Sequence, residues 1–369
     1  MFKPENRHEL DEYLKANPDC SLGSIDISAV TDLSLLFYKS VRQNFSGIEN
    51  WDTSAVTNMM GMFARARFFN QPLNSWDTSK VTNFTSMFQQ ASRFNQPLDQ
   101  WDTSAAETLH AMFAGADVFN QNLAAWKTSK VKDFALMFVG AQKFNGALEG
   151  WDLSSAVNLR GMFAEARAFN QPIGHWKTSA VRNFSGIFTA ADHFNQPLES
   201  WDTSAAEDLN GMFCGARSFN QPLNSWNTSK VLDFSCMFEE AENFNQPLNA
   251  WDTAQALDMH RMFAKAEAFN QPLGDWDTSR VRNFSCMFYR ALSFNQPLGT
   301  WNTAAAINME GMFAAAEAFD QPLDDWNTSQ VKKFAEMFAE AKCFKHRPQH
   351  WDTSAAADAA EMFGLPRAQ

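Results

Sequence analysis

The sequence has few of the residues that indicate a disulfide framework, a membrane span or a polyanion-binding surface. Its five Cys are odd in number and form no CxxC, which predicts small buried residues in a reducing compartment. No apolar stretch approaches the length of a membrane span, so we expect no membrane insertion. Lys and Arg number 30 against 42 Asp and Glu, and the net charge of −12 argues against nucleic acid as a partner.

Aromatic residues are used unevenly, with 35 Phe and 13 Trp but only 3 Tyr. All 13 Trp lie 25 residues apart, from Trp51 to Trp351, without an insertion or a deletion. A fixed period of this length is typical of solenoids and related repeat arrays. The aromatic excess is therefore the composition of one repeated unit.

Each unit can be numbered from its Trp as position 0. Asp is usual at position 1 and Thr-Ser at positions 2 and 3, as in Trp76 to Ser79. Phe occupies position 12, Ala position 15 and Phe position 18, before Asn-Gln-Pro-Leu at positions 19 to 22. Position 8 alternates between Phe, as at Phe84, and a smaller residue, as at Leu109. The alternation predicts bulky residues packed against small ones between neighbouring coils.

The apolar positions of the unit predict a helix, because they recur at steps of three and four. Thr-Ser is a typical N-cap and Pro at position 21 ends any helix before it, so we predict a helix over Asn83 to Ala91. A short strand is predicted over Pro97 to Asp102. The predicted fold is an α/β solenoid, a leucine-rich-repeat-like right-handed superhelix of about 13 coils of 25 residues. Strands would line its concave face, with neighbouring coils roughly 4.8 Å apart.

The unit from Phe69 to Ala91 resembles the 25-residue repeat of the BspA-like leucine-rich-repeat surface proteins, the mycoplasma-type family of unknown function 285. His8 to Leu14 resembles the family's N-terminal capping helix, and Ile25 to Leu33 its degenerate first repeat. Three segments are therefore predicted: a cap and degenerate repeat over 1–50, twelve repeats over 51–350, and a truncated repeat over 351–369. The resemblance implies a secreted or surface-exposed binding or adhesive protein. The charged start, MFKPENRHELDEYL, has no signal-peptide core and instead favours the cytoplasm for the chain as written.

No set of residues predicts catalysis, a cofactor or a metal, so the chain is expected not to be an enzyme. The seven His fall at unrelated repeat positions, and His346 and His350, the close pair, have no supporting carboxylate or Cys pattern. Cys236 and Cys286 both occupy position 10, where Gly, Ser and Ala also occur, which predicts small packing residues.

Three polar columns are predicted to be structural. The Asp at position 1 is expected to bond a turn or cap backbone, because Lys127 and Asn227 also occupy that position. Asn-Gln at positions 19 and 20 is expected to form a ladder of stacked amides. The Thr at position 2 is expected to cap helices.

Positions 23 and 24 vary in every unit, beside a constant core, and this pattern predicts a recognition surface. The candidate binding residues are Asp99, Gln100, Glu149, His175, Glu199, Asn224, Asn249, Asp275, Asp324 and Asp325. The predicted function is a non-catalytic scaffold that binds a protein, for interaction or adhesion, through its concave strand side, and the acidic charge favours a basic partner. Alternatives are a structural protein that self-associates through its C-terminal coil, and a secreted effector or immunity-type binding protein.

Overall fold

The computed structural model describes residues 1–364, and its contacts divide the chain into two units, Met1–Ala180 and Val181–Gln369. The first unit contains the helix α1 (Arg7–Ala16) and two 3-10 helices, Leu22–Ser24 and Ile48–Asn50. The second unit contains the 3-10 helix Ala359–Glu361. Elsewhere in residues 1–364 the repeats consist of turns and isolated parallel β-bridges, with no further α-helix and no extended strand.

Helix α1 covers the segment in which the sequence predicts a capping helix. The Asn6 side chain accepts a hydrogen bond from the backbone N–H of Glu9 at 3.0 Å, which satisfies one free donor of the first turn. Leu10 is fully buried, and the guanidinium of Arg7 donates to the carbonyl of Ser34. The helix is therefore joined to the first coil by a side-chain hydrogen bond and packs through Leu10.

Neighbouring coils are joined by backbone hydrogen bonds along positions 7 to 14. One parallel bridge joins Phe2 to Ile25, and the others lie at position 7 or its equivalent in the first coil, from Asp32 to Asn158 in the first unit and from Asn183 to Lys333 in the second. The N–H groups at positions 8, 10, 12 and 14 donate to the next coil; that of Ser86, for example, donates to His110 at 2.8 Å. Each coil thus uses alternate donors of this segment to hold the coil that follows.

The remaining donors of the same segment close turns within the coil. The N–H of Met87 donates to the carbonyl of Phe84 at 3.1 Å, and that of Ala91 to Phe88 at 3.0 Å, so the segment is a succession of three-residue turns. Ser86 and Gln90, at positions 10 and 14, have left-handed backbones with φ of 55° and 54°. A right-handed helix does not accommodate such residues. The helix predicted over residues 83–91 is therefore wrong.

The short strand predicted over residues 97–102 is wrong as well. The chain turns at residues 99 and 100, and the N–H of Trp101 donates back to the carbonyl of Leu98 at 3.3 Å. Parallel pairing between coils lies at position 7 instead, on the segment that had been predicted to be helical. The repeat architecture is correct, but each coil is made of turns and single bridges rather than a strand and a helix.

The core consists of aromatic columns. Phe88 and Phe113 stack at a centroid distance of 5.5 Å with planes 8° apart, and both rings are fully buried. Trp101 stacks on Trp126 at 6.2 Å, and its Nε1 donates to the carbonyl of Leu73 in the previous coil at 2.8 Å. Fully burying one such ring contributes about 1.5–3 kcal/mol, so the repeated rings are a principal source of stability.

Two polar columns join the coils at other positions. The predicted amide ladder is confirmed: Asn95 Oδ1 accepts from the backbone N–H of Asn120 and from Gln121 Nε2, both at 2.9 Å. The prediction that Thr caps helices is wrong, because its hydroxyl joins coils instead. Thr128 is almost fully buried, and its Oγ1 donates to the carbonyl of Asp152 at 3.0 Å and accepts from the Asp152 N–H at 2.9 Å.

Candidate binding surface

The Asp at position 1 closes a turn, as the sequence predicts. Oδ1 of Asp202 accepts the backbone N–H of Ser204 at 2.9 Å, and hydrogen bonds from Ser204 hold the pKa of Asp202 below its ordinary value. Asn227 makes the same turn with Ser229 at 3.0 Å without a charge. The turn therefore needs a side-chain oxygen, and the carboxylate charge is an additional property of the Asp copies.

The charges of this column act on one another. Hydrogen bonds from Ser54 lower the pKa of Asp52, whereas the charges of Asp26 and Asp77, one coil away on either side, raise it. Where Lys127 replaces the Asp in the first unit, its Nζ lies 3.6 Å from Oδ1 of Asp102. Each charge at position 1 therefore interacts with its neighbours in adjacent coils.

Most of the predicted binding residues at positions 23 and 24 are exposed. The exposed ones are Gln100, Glu149, His175, Glu199, Asn249, Asp275, Asp324 and Asp325. Asp99 and Asn224 are half-buried and have structural contacts: Oδ1 of Asp99 accepts from Asn74 at 2.9 Å, and Oδ1 of Asn224 accepts the N–H of Ala250 at 2.9 Å. Asp99 and Asn224 thus help to join coils.

In the second unit, positions 1, 23 and 24 form an edge of one charge. Over residues 181–364 these positions carry eight carboxylates and no Lys or Arg. All eight are exposed, and we call them the acidic edge: Glu199, Asp202, Asp252, Asp275, Asp277, Asp324, Asp325 and Asp352. The predicted candidates of the second unit thus lie on a wider acidic surface that includes the position-1 column.

A second exposed surface of this unit was not predicted. Position 6 carries Leu232, Leu257 and Ile307, which are 42%, 37% and 37% exposed, and in other coils of this unit it carries the charged residues Arg182, Glu207, Arg282 and Lys332. Backbone bonds join these residues from coil to coil; for example, the N–H of Leu257 donates to Leu232 at 2.9 Å. The helix prediction concealed this surface, because it placed position 6 at the start of a helix.

His346, one of the close pair of His residues, lies beside a carboxylate of the previous coil. His346 Nε2 is 3.7 Å from Oδ1 of Asp320, and both residues are half-buried. Within residues 1–364 no three His, Cys, Asp or Glu side chains gather as metal ligands. Nor does any helix in this range have the length and apolarity needed to cross a membrane.

A family model described as "Mycoplasma protein of unknown function, DUF285" matches the chain in five overlapping segments, residues 9–126, 113–221, 172–276, 196–297 and 269–368. No curated protein matches the chain. A solved structure of the Leptospira interrogans LRR protein LIC12759 is similar at 9% identity, over 94% of this chain and 87% of that one, with a TM-score of 0.23.

Proposed function

The chain belongs to the family described as Mycoplasma protein of unknown function, DUF285, and from this premise we propose that it is a non-catalytic repeat scaffold that binds a protein through its acidic edge. The proposal assigns separate tasks to separate repeat positions. Trp, Phe, Thr and Asn hold coils together, and positions 1, 23 and 24 meet the partner. This division is how repeat proteins commonly build extended binding surfaces.

The observation that carries the proposal is the charge of the acidic edge. Position 1 needs only an Asn for its turn, as Asn227 demonstrates, yet Asp202, Asp252, Asp277 and Asp352 carry a charge there. Eight exposed carboxylates with no Lys or Arg at the same positions make a surface of one charge, which is suited to a cationic partner.

The partner expected from this chemistry is a protein with exposed Lys and Arg, consistent with an interaction or adhesion role. Association through exposed charges is fast at low salt and weakens as salt rises, because the Debye length falls from about 10 Å at 0.1 M to about 3 Å at 1 M. Salt dependence of binding is therefore the first property to measure.

A pull-down with matched variants tests the proposal. One variant carries Asp→Asn at four acidic-edge positions, which keeps the turn at position 1 while removing four charges: Asp275, Asp277, Asp324 and Asp325. A control variant removes four carboxylates elsewhere in the second unit by Glu→Gln: Glu242, Glu267, Glu310 and Glu317. Both variants lose the same net charge, so a difference between them reports the location of the charge.

We expect the unmodified chain and the control variant to retain the same proteins from a cell extract, and the acidic-edge variant to lose them. Retained proteins should be basic and should elute between about 0.1 and 1 M salt. Equal retention by both variants would overturn the proposal, as would the absence of any enriched protein. Size-exclusion chromatography with light scattering detects the self-associating alternative, in which the chain itself forms oligomers.

A further inference from the structure

Three side chains of the second unit form a Cys–His–Asp arrangement. His260 Nε2 lies 3.6 Å from Sγ of Cys236, within hydrogen-bond range for sulfur. His260 Nδ1 lies 2.9 Å from Oδ1 of Asp258. The imidazole is thus held between a thiol and a carboxylate. Nucleophilic sites commonly have this order, in which a nucleophile contacts a base and the base is oriented by an acid.

The repeat places these side chains together. Cys236 is at position 10 of one coil, and Asp258 and His260 are at positions 7 and 9 of the next. The N–H of Cys236 donates to the carbonyl of His260 at 2.9 Å, which fixes the two residues side by side. Asn283, one coil further, donates from Nδ2 to Oδ2 of Asp258 at 3.2 Å and holds the carboxylate.

Other charged groups surround the thiol. Glu239 raises the pKa of Cys236, and Glu239 itself pairs with Arg261, whose Nε lies 2.8 Å from Oε1. Lys265, paired with Glu240, lies further along the same side. The local charges are therefore mostly paired with one another, and the sulfur has hydrogen bonds with both His260 and Glu239, which shift its pKa in opposite directions.

His260 is a cation at neutral pH. The hydrogen bonds to Asp258 and Cys236 raise the pKa of His260 to about 10, against the opposing effect of burial. Burial has the largest effect and leaves the pKa of the Cys236 thiol above its ordinary value, while the hydrogen bond and charge of His260 lower it. The imidazolium held by Asp258 therefore offsets part of the effect of burial and favours the thiolate, the nucleophilic form of Cys, relative to a buried thiol without such a partner.

The chain contains a matched thiol without this partner. Cys286 is at the same position 10, is half-buried like Cys236, and has φ of 54° against 56°. Burial raises the pKa of Cys286, the charge of Arg261 in the previous coil lowers it, and the charge of Glu310, which occupies the position of His260 in the next coil, raises it. Cys286 thus also has a cation nearby, but the following coil supplies a carboxylate where Cys236 has an imidazolium.

We propose that Cys236 is a covalent modification site for small α,β-unsaturated carbonyl compounds, with His260 and Asp258 as positioning residues. The sulfur forms a bond to the β-carbon while the C=C π bond breaks. The electron pair moves to the α-carbon, which takes a proton from the His260 imidazolium. Neutral His260 then takes a proton from water, which balances the proton that the thiol released when it ionised. Atoms and charge balance, and no other reactant is needed.

N-ethylmaleimide tests the site on the full chain, with the modified fraction of each Cys measured by peptide mass spectrometry over time. At pH 7 we expect Cys236 to react several-fold faster than Cys286, because His260 lowers the pKa of the Cys236 thiol whereas Glu310 raises that of Cys286. The rate at Cys236 should also level off at a lower pH than the rate at Cys286. The exposed Cys343 provides the reference for a solvent thiol.

Variants separate this mechanism from simple exposure. His260→Gln and Asp258→Asn should each lower the rate at Cys236 towards that of Cys286 and leave Cys286 unchanged. The double variant Asn308→Asp with Glu310→His builds the same arrangement beside Cys286 and should accelerate that thiol. Equal rates for the two thiols in the unmodified chain would overturn the proposal. So would a double variant that melts at the same midpoint as the unmodified chain but shows no faster reaction at Cys286.

Discussion

Replacing Gly211 with Ala distinguishes the observed turns from a helix by the sign of one stability change. Gly211 is at position 10 with φ of 58°, in the left-handed region. A Cβ added there would lie 3.8 Å from the nearest atoms, the Cβ of Cys214 and Oγ1 of Thr189, which is ordinary van der Waals contact. The substitution therefore tests backbone conformation without a steric clash.

Its magnitude follows from two opposing effects. A left-handed backbone costs an L-residue about 1–2 kcal/mol, and Ala in place of Gly returns about 0.4–1 kcal/mol by restricting the unfolded chain. The net expectation is a loss of roughly 1 kcal/mol in the free energy of unfolding. If position 10 were helical, Gly211→Ala would instead stabilise the protein by about 1 kcal/mol.

Urea unfolding followed by Trp fluorescence measures the change, with the midpoint compared at an unchanged slope. Ala315→Gly is the matched reversal, because Ala315 is half-buried at position 14 with φ of 55°. It should be neutral or stabilising here, and destabilising in a helix. A more stable Gly211→Ala variant together with a less stable Ala315→Gly variant would refute the turn architecture.

Two further changes test the links between coils and the charge of His260. Thr128→Val should lower the free energy of unfolding by about 1–3 kcal/mol, because it removes two hydrogen bonds to the part-buried backbone of Asp152. Thr128→Ser, which keeps the hydroxyl, should lose less in the same urea assay. His260 has a pKa of about 10, above its unfolded value of about 6.5, so its protonation stabilises fully below about pH 6.5. That contribution to stability is lost as pH rises through about 10. The difference in urea midpoint between the unmodified chain and His260→Gln should therefore shrink between about pH 6.5 and pH 10. A constant difference over this range would contradict the raised pKa of His260.

The sequence predicts the repeat and its core because a buried aromatic ring has few substitutes. Phe88 and Trp101 recur at a fixed spacing, and each stacks on its equivalent in the next coil. The local conformation was not predicted, because apolar residues at steps of three and four suit successive turns as well as a helix. The signal against a helix was the Gly at position 10, as in Gly161 and Gly186. Gly destabilises the interior of a helix, whereas it adopts a left-handed backbone without steric cost.

In the candidate surface, likewise, some contacts were predictable from the sequence and others were not. The turn made by Asp202 was predictable, because its bond reaches only two residues along the chain. The contact of Cys236 with His260 was not, because it depends on which position of one coil faces which position of the next. That register becomes known only when the backbone bonds of position 10 are known to reach position 9 of the following coil.

The left-handed positions have a consequence for where new chemistry can arise in this fold. Position 10 accepts Gly, Cys, Arg or Glu, since the backbone there is held by bonds to the next coil rather than by the side chain. Its side chain meets position 9 of the next coil, 24 residues on, as Cys236 meets His260. It also meets position 13 of the previous coil, 22 residues back, as Arg261 meets Glu239. Reactive or charged pairs can therefore form by two substitutions at these intervals while the aromatic core stays unchanged.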